Sequence, residues 1–123
     1  MERNSVIAII VVLGIVLMSS VYVSNTSPPD VPPGKYDGFA QCLTEQGAVM
    51  YGTDWCSNCK EQKALFGTSF DYVDYFNCDY NKDACREIGV SGYPTWGIGG
   101  KMYPGKQTLE ELTALSGCEM WEA

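Results

Sequence analysis

Two kinds of hydrophobic pattern divide the chain. From Val6 to Val23 the run "VIAIIVVLGIVLMSSVYV" holds no charge and no proline, and a helix of that length just crosses a bilayer core roughly 30 Å thick. Residues 1–24 are therefore expected to be a membrane anchor. A secretory signal is the alternative, since "MSSVYVS" is rich in small residues, although the apolar run exceeds the roughly 7 to 15 residues of a signal core and no A-x-A-like site follows it. Residues 25–35, with their four prolines, predict an extended linker of polyproline character. Beyond it, at residues 36–123, the long apolar run gives way to short periodic segments.

Phe39, Cys42 and Leu43 recur at helical spacing, and Gly47 stands where a left-handed cap ends such a helix. "AVMY" (48–51) is short and apolar, as a buried strand is, and a helical pattern runs from Cys56 to Phe66 with Gly67 as its stop. "DYVDYFNC" (71–78) alternates faces and is rich in β-formers, which predicts a second strand over its whole length. A brief helix is expected around Lys82 to Ile88, ending at Gly89. "SGYPTWGIGGKMYPG" (91–105) reads as a hairpin turning at Gly99-Gly100. Thr108 and Glu111 make the capping box of a last helix faced by Leu109, Leu112 and Leu115 and stopped by Gly117. The expected order is helix, β, α, β, α, β, β, α.

Charge and composition narrow the chemistry. Glu2 and Arg3 cancel, so the net charge of −7 belongs to the part after the apolar run; this disfavours nucleic acid and anionic headgroups as partners. The sequence contains no histidine, which removes histidine bases and ligands and every Ser/His or Cys/His arrangement. Arg3 precedes the apolar run and the first lysine after it is Lys35, so the positive-inside bias favours a domain on the extracytoplasmic side, be that periplasm, lumen or exterior. Six cysteines in so short a domain suit such a compartment, where disulfides persist.

A strand, then "WCSNC" opening a helix, then β-α-β-β-α with "GYPT" at the head of the third strand and Gly105 after the hairpin resembles the thioredoxin fold over roughly residues 48–116. This is an α/β class with a central mixed sheet flanked by helices. More narrowly, "LTEQGAVMYGTDWCSNCKEQKALFG", the later pair Cys78 and Cys85, and "GYPTW" followed by "LEELTALSG" are similar to the thioredoxin-like domains fused to, or paired with, bacterial vitamin K epoxide reductase homologues. The resemblance implies a protein-disulfide oxidoreductase without a cofactor. It also implies a membrane partner that passes electrons to quinone, and substrate proteins bearing thiols or disulfides.

Cys56, at the start of a helix, lies among unsatisfied N–H groups and at the positive end of the helix dipole, which favour thiolate. It is the expected exposed nucleophile, and Cys59, one turn on, the buried resolving thiol. Trp55 is expected beside the reactive sulfur, with Lys60 adding positive potential and Asp54 opposing it. By the resemblance Pro94 is cis against the C-x-x-C, and the Tyr93 backbone pairs with an incoming peptide. Two departures leave the direction of electron flow open. The buried acid that thioredoxins carry six residues before the first cysteine is Met50 here, and the intervening dipeptide is Ser57-Asn58.

The other cysteines suit structural disulfides. Cys78 and Cys85 would close a small loop, and Cys42 and Cys118 would tie the ends of the domain. A second redox pair at Cys78 and Cys85 remains open at this point, as does a redox-inert binding domain. A zinc site from Cys56, Cys59, Cys78 and Cys85 fits poorly, because the second pair lies farther apart than the usual spacing of roughly two to four; no metal is expected.

Overall fold

The structure is a computed structural model that describes residues 5, 7–11 and 30–120. Most of the expected span Val6–Val23 lies outside these residues; Ile7, Ala8, Ile9, Ile10 and Val11 are helical and exposed. Among the described residues no helix is long and apolar enough to cross a membrane.

Helix α1 (Asp37–Glu45) leads into strand β1 (Val49–Gly52), helix α2 (Ser57–Phe66), a 3₁₀ helix (Gly67–Tyr72) and strand β2 (Asp74–Asn77). Helix α3 (Lys82–Glu87), strands β3 (Thr95–Ile98) and β4 (Lys101–Pro104) and helix α4 (Leu109–Ser116) complete the domain. The sheet order is β2-β1-β3-β4. β1 pairs parallel with β2 and antiparallel with β3, and β3 pairs antiparallel with β4. A parallel pair needs a crossover, and α2 with the 3₁₀ helix supplies it. The two-residue hairpin turn works because Gly99 and Gly100 both hold positive φ, 58° and 79°.

Alternation along β1 sorts the core. Met50 faces its register partner Trp96 on the side where Phe66 packs against both Phe39 and Trp96, at ring separations of 6.0 and 6.2 Å. Leu43 and Leu112 are buried in the same cluster. Tyr51, one residue on, points to the other side and packs with Tyr93 against Cys78, Cys85 and Val90. The helix that carries the C-x-x-C is thus seated on the main core, with the Cys78–Cys85 cluster on the opposite face.

The strand expected over residues 71–78 forms only at Asp74–Asn77, because the segment before it is claimed by local and long-range hydrogen bonds. Ser69 is buried and its hydroxyl accepts from the Tyr36 N–H, and the Thr44 hydroxyl donates to Tyr72 O while accepting from the Asp74 N–H. The last residues of the proline-rich segment are also not free-standing. Gly34 N–H donates to Thr68 Oγ1, and Val31 shares a cleft with Tyr36, Leu65 and Leu109.

Candidate functional site

Strand β1 delivers the chain through Thr53, Asp54 and Trp55 to Cys56, which caps α2. A helix begins with N–H groups that have no partner in the helix, and here sulfur takes the place usually filled by a Ser or Asp oxygen: Cys56 Sγ accepts from the Cys59 N–H at 3.2 Å. The same Sγ lies 3.6 Å from the Tyr93 carbonyl. Cys56 is in consequence only 8% exposed. The sulfur expected on the surface is largely covered, since capping turns it inward.

Cys59 is fully buried. Gly52, at the end of β1, makes room for it: a Cβ there would lie 2.9 Å from Cys59 Sγ and 3.3 Å from Tyr75 Cε2. Burial pushes the Cys59 thiol up to about 11, the Cys56 side chain adds to this, and the Thr53 backbone and Lys63 pull it back. Tyr75, on β2, has a buried hydroxyl without a hydrogen-bond partner. Its phenol is raised well above the ordinary value by burial, with the Asp54 and Cys59 charges adding to the effect. Lys63 Nζ sits 3.9 Å from the centroid of the Tyr75 ring and 5.5 Å from that of Phe70.

Asp54, expected to oppose thiolate at Cys56, is engaged elsewhere. It accepts from Asn77 Nδ2 at 2.9 Å and lies 3.8 Å from Lys63 Nζ. Lys60 is exposed, and the cation that bears on Cys59 is Lys63. The i, i+4 spacing from Cys59 to Lys63 was the available signal for it; the Tyr75 contribution needed the strand pairing. Trp55 is 66% exposed, donates from Nε1 to Asp79 Oδ1 at 3.1 Å and meets the Tyr93 ring edge-on. A cleft of about 400 Å³ opens beside it, lined by Asp54, Tyr75, Phe76, Asn77 and Tyr80.

Cys42 is bonded to Cys118 and Cys78 to Cys85, which leaves Cys56 and Cys59 as the two thiols. Cys78 and Cys85, being bonded and buried, are not available as thiolate ligands. Sequence reasoning missed Gln62, a fully buried residue of α2. Its Oε1 accepts from Trp96 Nε1 and the Gln107 N–H, and its Nε2 donates to the Gln107 carbonyl, so it locks the C-x-x-C helix to β3 and to the approach to α4.

The Tyr93–Pro94 peptide bond is cis, and it leads into β3 beside the Cys56 sulfur. A β-α-β-α-β-β-α order with one parallel and two antiparallel pairings, a C-x-x-C capping the first crossover helix and this proline facing it decide the class. The fold is thioredoxin-like.

No protein-family model matches the chain. In sequence, this thioredoxin-like chain is similar to the thiol-disulfide oxidoreductase LTO1 of Arabidopsis thaliana, 29% identical over 150 aligned residues that take in 99% of this chain and 40% of that protein. It is also similar to protein disulfide isomerase-like 2-1 of Oryza sativa subsp. japonica, 31% identical over 106 residues, 73% of this chain and 29% of the relative. Protein disulfide isomerase-like 2-2 of the same organism is 32% identical over 83 residues, 55% of this chain and 22% of the relative. The chain spans less than half the length of each of these relatives. Among solved structures, the first thioredoxin domain of mouse protein disulfide-isomerase A4 aligns at a TM-score of 0.41 and 20% identity, covering 64% of this chain and 67% of that one.

Proposed function

We propose that the protein is a thiol–disulfide oxidoreductase acting through Cys56 and Cys59. The observation that carries this reading is the partition of the six cysteines: four are spent in disulfides, and the remaining two stand unbonded at the start of one helix, with the Cys59 N–H donating to Cys56 Sγ. Cys56 thiolate attacks a substrate disulfide R–S–S–R′, forming Cys56–S–S–R and releasing R′–S⁻. Cys59 thiolate then attacks Cys56 Sγ; the Cys56–Cys59 bond forms, R–S⁻ leaves with the electron pair, and the substrate is reduced by two electrons as the domain is oxidised. The reverse sequence oxidises a dithiol. Trp55 and Tyr93 form the wall a substrate polypeptide would meet, with the Tyr93 backbone offered for strand-like pairing; Pro94, expected to join them, is fully buried and offers a substrate no surface of its own.

In this reading the segment before residue 25 anchors the domain on the extracytoplasmic side of a membrane, and the domain couples substrate proteins to a vitamin K epoxide reductase-like, quinone-linked membrane oxidoreductase. What supports the membrane and partner elements is the apolar run at residues 6–23 and the sequence likeness over "WCSNC", Cys78/Cys85 and "GYPTW". The test uses the full chain in insulin reduction and in oxidation of reduced ribonuclease. Activity in at least one direction is expected, lost in Cys56→Ser, with Cys59→Ser trapping a mixed disulfide. Absence of activity in both directions would leave a redox-inert binding domain and overturn the reading.

A further inference from the structure

The resolving step needs Cys59 as thiolate, yet nothing around its sulfur is built to take a proton. Strand β1 and the residue after it contribute Met50, Gly52 and Thr53, none of them ionisable. The titratable groups that bear on Cys59 are Cys56 and Lys63 from α2 and Tyr75 from β2; Asp54, in the loop between β1 and α2, and Asp79, after β2, act on Tyr75. Lys63 is the sole cation of this set. It lies one helical turn beyond Cys59 on the same face of α2, its side chain is 29% exposed, and two aromatic rings hold its ammonium. A cation over a ring face is attracted by the ring quadrupole and fixed in place more firmly than a surface lysine. The Tyr75 ring that holds it is the one whose edge approaches the Gly52 position shared with Cys59 Sγ.

We propose that Lys63, seated on the Tyr75 ring and tied to Asp54, is a positioning residue whose charge favours the Cys59 thiolate in the resolving step. The inference rests on the oxidoreductase reading. In the step itself the proton leaves Cys59 for solvent, the thiolate attacks Cys56 Sγ, and the released R–S⁻ takes up a proton from solvent to end as R–SH. Lys63 gives up no proton; it lowers the cost of the charge on sulfur. Asp54 opposes it, because the carboxylate 3.8 Å from the ammonium offsets part of its field.

The test is stopped-flow mixing of the full chain, reduced at Cys56 and Cys59 with the other two disulfides intact, against excess 5,5′-dithiobis(2-nitrobenzoate). One thionitrobenzoate leaves when Cys56 attacks, and a second when Cys59 resolves the adduct. Lys63→Met is expected to slow the second phase about 3- to 10-fold at neutral pH and to move its pH midpoint upward, a tenfold change being one pH unit. Lys63→Arg, which keeps the charge and stacks on the ring, is expected to restore the profile, and Asp54→Asn to move the midpoint downward. An unmoved midpoint in Lys63→Met, or an equal loss in Lys63→Arg, overturns the proposal. If Lys63→Met does not fold by circular dichroism, Asp54→Asn decides, and a midpoint that stays or rises overturns it. A wild-type chain that releases no second thionitrobenzoate, or a Cys59→Ser variant that still does, sinks the oxidoreductase reading instead.

Discussion

Gly52 is the residue on which the dithiol depends for space. A methyl group there would stand 2.9 Å from Cys59 Sγ, nearer than packed atoms approach, and both the sulfur and the Tyr75 ring would have to shift. Gly52→Ala is expected to cost about 1–3 kcal/mol of stability, read by urea denaturation, and to slow the second thiol-release phase. Cys59 carries a pH signature of its own. Its folded thiol is raised from 9.0 to about 11, chiefly by burial, so the folded state holds the proton more tightly than the unfolded one. The stability this contributes is fully present below the unfolded value and is lost as pH rises through the folded value. The reduced protein is therefore expected to lose on the order of 2 kcal/mol across that alkaline window relative to a Cys59→Ala variant, measured as urea midpoints against pH. The C-x-x-C at a helix start, whose two cysteines stay unbonded, was legible in "WCSNC", whereas the covering of Cys56 was not, because it depends on a carbonyl 37 positions away.

At the level of elements, α2 is held by chemistry as much as by packing. Its interior offers few large apolar residues, and Gln62 compensates by satisfying Trp96 on β3 and both backbone groups of Gln107. Gln62→Leu keeps the volume but strands the Trp96 and Gln107 N–H groups, each worth about 1–3 kcal/mol when buried without a partner. A loss of about 3 kcal/mol is expected in chemical denaturation of the oxidised protein. The capping box of α4 is complete in both directions, so Thr108→Ala should cost about 1 kcal/mol, read as a lower thermal midpoint. Helices with such local signals were legible, and their stops at Gly47, Gly67, Gly89 and Gly117 all hold positive φ. Strand β2 was not legible in length: alternation in "DYVDYFNC" runs on into residues that Thr44, through Tyr72 O, keeps out of the sheet.

Across the whole molecule, the two disulfides divide the stabilising work unequally. Cys42–Cys118 spans 76 positions and Cys78–Cys85 only 7. On the chain-entropy model the first is worth roughly 4.5 kcal/mol and the second roughly 2.5 kcal/mol. Replacing both members of a pair by serine is expected to preserve that ranking in thermal midpoints, and an equal or inverted effect would show that the long loop retains structure when unfolded. Such cross-links matter in a domain this small, whose core is limited. They also leave Cys56 and Cys59 as the only titratable sulfurs among the described residues.

Local information in this chain sufficed for whatever is encoded within one turn or one alternation: element order, helix stops, the hairpin and the C-x-x-C at a helix start. These follow from φ preferences, capping and periodicity, which neighbours in sequence already dictate. Long-range approach decided the rest, namely how far Cys56 is covered, which strand ring seats the Lys63 ammonium, why Gln62 is polar inside the core and where β2 begins. Burial and electrostatic neighbourhood are sums over residues brought together from 24 to 45 positions apart, and no window along the chain contains that sum.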